Sequence, residues 1–236
     1  MDLQNLAGDV WQRIVPGPAP EPGRWILVAV LVALLVVVLP PLWRYARLAV
    51  TIVHELGHAA VGIAVGRRFT GFVVSSDMSG HAVTVGPRRG IGRILSTWAG
   101  YPAPAVLGAA AIQIALSGWV AAALLAATVI LVVSLVFTRS VHTLIAVAAT
   151  AAALGAVWWW GGPQLASLVT LAAGVFLLLG AWRHLGAVAL SGRRGDDPAQ
   201  LAQLTWLPAW VWSGSFALVL GVCTWWAWTA VGPSLL

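Results

Sequence analysis

Leu48-Ala49-Val50-Thr51-Ile52-Val53-His54-Glu55-Leu56-Gly57-His58-Ala59-Ala60-Val61-Gly62-Ile63-Ala64-Val65 is the stretch that decides how this chain folds. Only Thr51, His54, Glu55 and His58 interrupt its apolar character. Taken back to Ala46 it reaches the roughly 20 residues that a helix needs to cross a bilayer. On such a helix His54 and His58 differ by about 40° in direction and stand about one turn apart. They share a face and can grip one metal ion, while Glu55 beside them can take a proton from water at that ion. Ionisable groups facing lipid would cost several kcal/mol, so the three are placed toward the bundle interior.

The spacing His-Glu-x-x-His is specific here. The chain holds five His among 236 residues, and its composition yields the pattern by chance on the order of once per thousand such chains. The bland reading is a pair of core histidines satisfied by backbone carbonyls, and the position of the triplet inside an apolar span argues against it.

Composition sets the class. The chain is 60% hydrophobic and 8% charged, with several apolar runs near bilayer length, so the expectation is an all-α polytopic membrane protein. The runs are continuous rather than alternating, which excludes a β-barrel. All 13 basic residues are Arg and sit mainly in connections, which reads as membrane orientation rather than nucleic-acid binding. The single Cys223 can form no internal disulfide. Most of the 15 Trp lie near span ends, as an interfacial aromatic belt does.

Read in order, residues 1–24 form a cytoplasmic lead-in ending in Pro16-Gly17-Pro18-Ala19-Pro20, and residues 25–229 form one integral membrane domain. About seven transmembrane helices are predicted: Trp25–Trp43, Ala46–Val65, Ile94–Leu116, Trp119–Phe137, Val141–Trp160, Gln164–Trp182 and Pro208–Trp228. Gly100-Tyr101-Pro102-Ala103-Pro104 should break the third. Between the second and third spans, Phe69–Val74 and His81–Val85 read as a membrane-associated β-hairpin with its turn at Asp77–Gly80. With the N-terminus inside, eleven arginines are cytoplasmic and only Arg44 and Arg47 are outside.

Catalytic zinc takes three protein ligands and keeps a fourth position for water. Beyond His54 and His58 the candidates are Asp77, His81, His142, His184, Asp196 and Asp197. Asp197 is preferred, ahead of His142 and Asp77, although Asp197 before Pro198 also suits a helix N-cap with proline at N1. His142 also reads as an interfacial residue at a span start, and Asp77 as a turn residue.

The stretches Thr51–Ala59, Ser76-Asp77-Met78-Ser79-Gly80, Ala99–Pro104 and Asp196–Thr205 together resemble the site-2 protease family of intramembrane zinc metalloproteases, and within it a compact branch seen in actinobacteria. The resemblance implies that His54 and His58 bind Zn²⁺ and that Glu55 is the general base. It implies a multi-pass protein of the bacterial plasma membrane acting on a membrane protein or peptide. The family usually takes its third ligand from a late Asp-Gly, and this chain contains no Asp-Gly. Two other classes fit the motif: a catalytically inactive membrane scaffold or regulator that keeps a zinc site, and a small transporter with an ion path. No nucleic-acid partner is expected.

Overall fold

The computed structural model describes residues 8, 10, 11, 13–17, 23, 25–75, 79–191 and 195–232. Helices dominate it, with one two-stranded sheet. Four described helices are long and apolar enough to cross a membrane, or five if one bent pair counts as a single span.

The bent pair opens the bundle. Helix α1, Trp25–Val38, is apolar throughout and buries Ile26, Ala29, Ala33 and Val37 along one stripe. Helix α2, Pro40–Ala64, follows at 102° and carries His54, Glu55 and His58. Pro40 and Pro41 separate the two helices and start the second. The first turn of a helix has no use for the missing proline N–H, so two prolines tolerate a start there and force a corner before it. The first two predicted spans are therefore joined at a sharp corner as a bent pair.

The hairpin forms as expected. Strand β1, Arg68–Val74, pairs antiparallel with β2, Gly80–Val85, with a register shift between Phe69 and Gly71. Gly71 has φ +146°, and a side chain there would collide with the Phe137 carbonyl and Arg139. The far edge of β1 is covered. The Arg139 N–H donates to the Phe72 carbonyl at 3.0 Å, and the Val74 N–H donates to Thr143 Oγ1 at 2.7 Å. Of the predicted turn, Asp77 lies outside the described residues.

Helices α3 (Ile91–Trp98) and α4 (Pro102–Ala115) are the predicted third span, broken at residues 99–101 as the Gly-Tyr-Pro sequence requires. Helix α5, Val120–Ser134, runs on through a short 3₁₀ turn. Helix α6, Val141–Trp160, is capped by Ser140, whose hydroxyl accepts from the Thr143 N–H at 3.1 Å. Helix α7, Gly162–Ser191, is 30 residues long and outruns the predicted span, Gln164–Trp182, by more than half. The short α8, Asp197–Leu204, and the long α9, Ala209–Val231, complete the chain.

The main core lies between α1, α4, α7 and α9, around Ala105, Ala109, Ile112, Leu171, Leu178, Phe216 and Leu220. Gly108 and Gly174 let α4 and α7 touch backbone to backbone: a Cβ on either would lie 2.7 Å from the other's carbonyl oxygen. A second cluster, with Ile52, Phe72, Val74, Leu131 and Val147, ties α2 and the hairpin to α5 and α6.

The hairpin, α3 and α8 gather at one end of the bundle. Residues 13–17 lie at the other: the Gly17 N–H donates to the Gly118 carbonyl at 3.3 Å, and Arg13 donates to the Trp159 carbonyl at 2.9 Å while its guanidinium covers the Trp159 ring. The sequence reading put both groups on the cytoplasmic side; in the structure they lie at opposite ends of the bundle.

Gly174→Ala should destabilise the detergent-purified protein by about 1–3 kcal/mol through overpacking, read as a fall in melting temperature. Gly221→Ala, with nothing within 4 Å of its Cβ, should leave it unchanged or slightly raised.

Candidate metal centre

Helix α2 places His54 and His58 on one face, one turn apart, with their Nε2 atoms 3.0 Å from each other. Asp197 Oδ2 completes a triangle, 3.3 Å from His54 Nε2 and 3.2 Å from His58 Nε2. Zinc–ligand distances of about 2.0–2.2 Å in a tetrahedron separate neighbouring ligand atoms by roughly 3.3–3.6 Å. The three donor atoms stand close to that spacing, and they could hold a metal ion. Asp197 Oδ2 is buried and accepts no hydrogen bond. A buried, unbonded carboxylate oxygen facing two imidazole nitrogens is costly unless a cation is shared among them.

The partners of the triangle support the same use. His58 Nδ1 donates to the Ser96 carbonyl at 2.7 Å, which leaves the Nε2 lone pair aimed at the centre. Ser96 Oγ donates back to the His58 carbonyl at 3.0 Å. Tyr101 meets His54 edge-on and stacks on Phe216. Gly100 has no room for a side chain: a Cβ would press into both imidazole rings.

Glu55 is buried beside the triangle, at 3% exposure. Gly80 of β2 packs directly on its carboxylate, where a Cβ would overlap it. All four residues open on one cavity of about 620 Å³, bounded also by Arg47, His81, Arg93 and His184. Its mixture of charged and hydroxyl groups suits water within an otherwise apolar bundle.

The structure thus brings His54, Glu55, His58 and Asp197 together. Asp197 is not the N-cap of its helix, as its place before Pro198 suggested. Asp196 takes that position without a side-chain capping bond, and Asp197 begins the first turn with its carboxylate directed at the histidines. His142 is engaged elsewhere, on the Val74 carbonyl at 3.1 Å. His81, His184 and Asp196 line the cavity without joining the triangle, and Asp77 lies outside the described residues. Sequence reasoning did not find Ser96, because the group that matters is a backbone carbonyl, which any residue supplies.

The model of one protein family, described as Peptidase M50B-like, matches residues 27–227. The chain belongs to this family. The match runs from α1 to near the end of α9 and includes the hairpin, the α2 histidines and Asp197, and it supports the resemblance to site-2 protease membrane metalloproteases. No curated protein and no solved structure matches the chain.

Gly100→Ala should drive the two imidazoles apart and reduce metal content per protein to a small fraction of the wild-type value, measured by atomic emission on protein dialysed against zinc. His142→Ala should keep the full content.

Proposed function

We propose that this protein is a zinc-dependent endopeptidase that cleaves membrane-embedded substrates. The observation that carries the reading is the three-donor triangle with a buried carboxylate next to it, opening on a polar cavity inside a bundle of apolar helices. His54, His58 and Asp197 would hold the metal. Zinc supplies Lewis acidity, polarising a peptide carbonyl and acidifying water.

The chain's own residues do the rest. Glu55 accepts the proton of the attacking water and passes it to the leaving amine. Its burial under Gly80 keeps the carboxylate at a fixed place, so the transfer needs no reorganisation. A substrate helix offers no free carbonyl until it unwinds. Strand β2 supports that step: β1 occupies one of its edges, and its residues Gly80, His81, Ala82 and Thr84 line the cavity. An unwound segment adds alongside β2 as a further strand, which satisfies its backbone while its carbonyl approaches the centre.

The same reading sets the orientation. Arg67, Arg68, Arg88, Arg89, Arg93 and Arg139 gather at the site end of the bundle, and Arg13 lies at the other. The excess of arginine favours a cytoplasmic site end. Six crossings then serve in place of seven: α1, the broken α3–α4 unit, α5, α6, α7 and α9, with α2 turned across the bundle. Residues 13–17 face outward, the reverse of the orientation read from the sequence.

Glu55→Gln should retain stoichiometric zinc and lose about 10²–10⁴-fold in cleavage rate, measured on a reconstituted transmembrane peptide. Wild-type protein that holds zinc and cleaves no transmembrane substrate would instead support the scaffold role. For orientation, Gly17→Cys should react with a membrane-impermeant maleimide in intact cells, and Arg89→Cys only after permeabilisation; labelling of both from one face would refute the six-crossing arrangement.

A further inference from the structure

We propose that Arg93 and Gln200 form a strap that positions Asp197, so that helix α3 braces both halves of the metal centre. This rests on the metalloprotease reading above and assigns roles to two residues outside the triangle.

Two of the three donors stand on α2 and share its backbone. Asp197 does not. It sits on a separate eight-residue helix. Its distance to the histidines therefore depends on how α8 is docked. The C-terminal end of α8 is moored by Thr205, whose hydroxyl accepts from the Trp212 indole N–H at 3.2 Å. The N-terminal end, where Asp197 lies, is held by Gln200. The Gln200 Oε1 accepts from Arg93 Nη2 at 3.2 Å, and its Nε2 donates to the Gly195 carbonyl at 2.9 Å. One side of the amide ties α8 to α3. The other ties the residue two places before Asp197.

Helix α3 meets the centre a second time. Ser96, three residues after Arg93 and so on the same face, accepts from His58 Nδ1 and donates to the His58 carbonyl. Trp98, near the end of that helix, donates to Ser215 Oγ of α9 at 3.0 Å. One short helix thus fixes an imidazole through Ser96 and the carboxylate through Arg93 and Gln200.

The charge of Arg93 makes this testable by sign. Arg93 lines the cavity of a site suited to a dication. If it acted only through its charge, it would repel the metal, and its removal would tighten binding. A strap predicts the reverse.

The experiment uses the full chain in detergent, with zinc affinity measured by chelator competition and geometry by the absorption spectrum of the cobalt-loaded protein. Arg93→Met and Gln200→Met should each weaken zinc binding by about 10–100-fold. The double variant should be no weaker than the poorer single variant, because both cut one strap. Arg93→Lys should recover part of the loss. The cobalt spectrum of Gln200→Met should shift toward that of Asp197→Asn. If either methionine variant does not purify, Gln200→Glu carries the test: it keeps the acceptor for Arg93, loses the donor to Gly195, and should show an intermediate loss. Unchanged or tighter zinc binding, or additive losses in the double variant, overturns the strap while the metal site stands. Wild-type protein that takes up no zinc overturns the metalloprotease reading itself.

Discussion

A carboxylate oxygen held without a hydrogen bond between two imidazole nitrogens, inside an apolar bundle, is the arrangement on which the rest of the structure depends. Such a group is expensive to bury, and the surrounding chain shows what is needed to keep it there. Gly100 clears space behind both rings, Ser96 orients one of them, and the corner between α1 and α2 brings the histidine face to the foot of α8. A cation shared among the donors would account for their convergence. The breaks in the helices are places where the backbone bends around these side chains.

Those breaks follow a pattern. Pro40-Pro41, Gly100-Tyr101-Pro102 and Asp197-Pro198 lie at the start of α2, between α3 and α4, and at the start of α8. Each start uses a proline where the helix has no partner for an N–H. Irregular backbone at membrane depth is tolerated where protein buries it or water reaches it, and the cavity beside residues 99–101 meets that condition. The uninterrupted helices α5, α6, α7 and α9 supply the frame, and the Gly108–Gly174 contact keeps α4 and α7 close enough for the frame to hold.

The hairpin joins the frame to the chemistry. Its strand β1 is fastened to the α5–α6 connection by Arg139 and Thr143, and its strand β2 presents Gly80 to Glu55. One side of this small sheet is structural and the other borders the cavity. A shift of the hairpin would move Gly80 off Glu55 and displace the strand that borders the cavity, so both are tied to the packing of Phe72 and Val74 in the second core cluster.

Much of this was legible in the residues. The motif at His54–His58, the apolar runs, the hairpin and the break at residues 99–104 all depend on local spacing, and local spacing is what a sequence displays. Asp197 could be ranked first but not chosen, because it lies far along the chain from the histidines and a helix cap explains the same residues. The geometry at Pro40-Pro41 was open for a related reason: the prolines mark a break, while the 102° angle at which the two apolar helices join is set by packing. The sequence by itself determined the helical class and the pair of histidines that share one helix face. Only tertiary structure decided which carboxylate joins them, which carbonyl orients the ring and which end of the bundle holds the site, since each of these is a meeting of residues brought together by packing rather than by position along the chain.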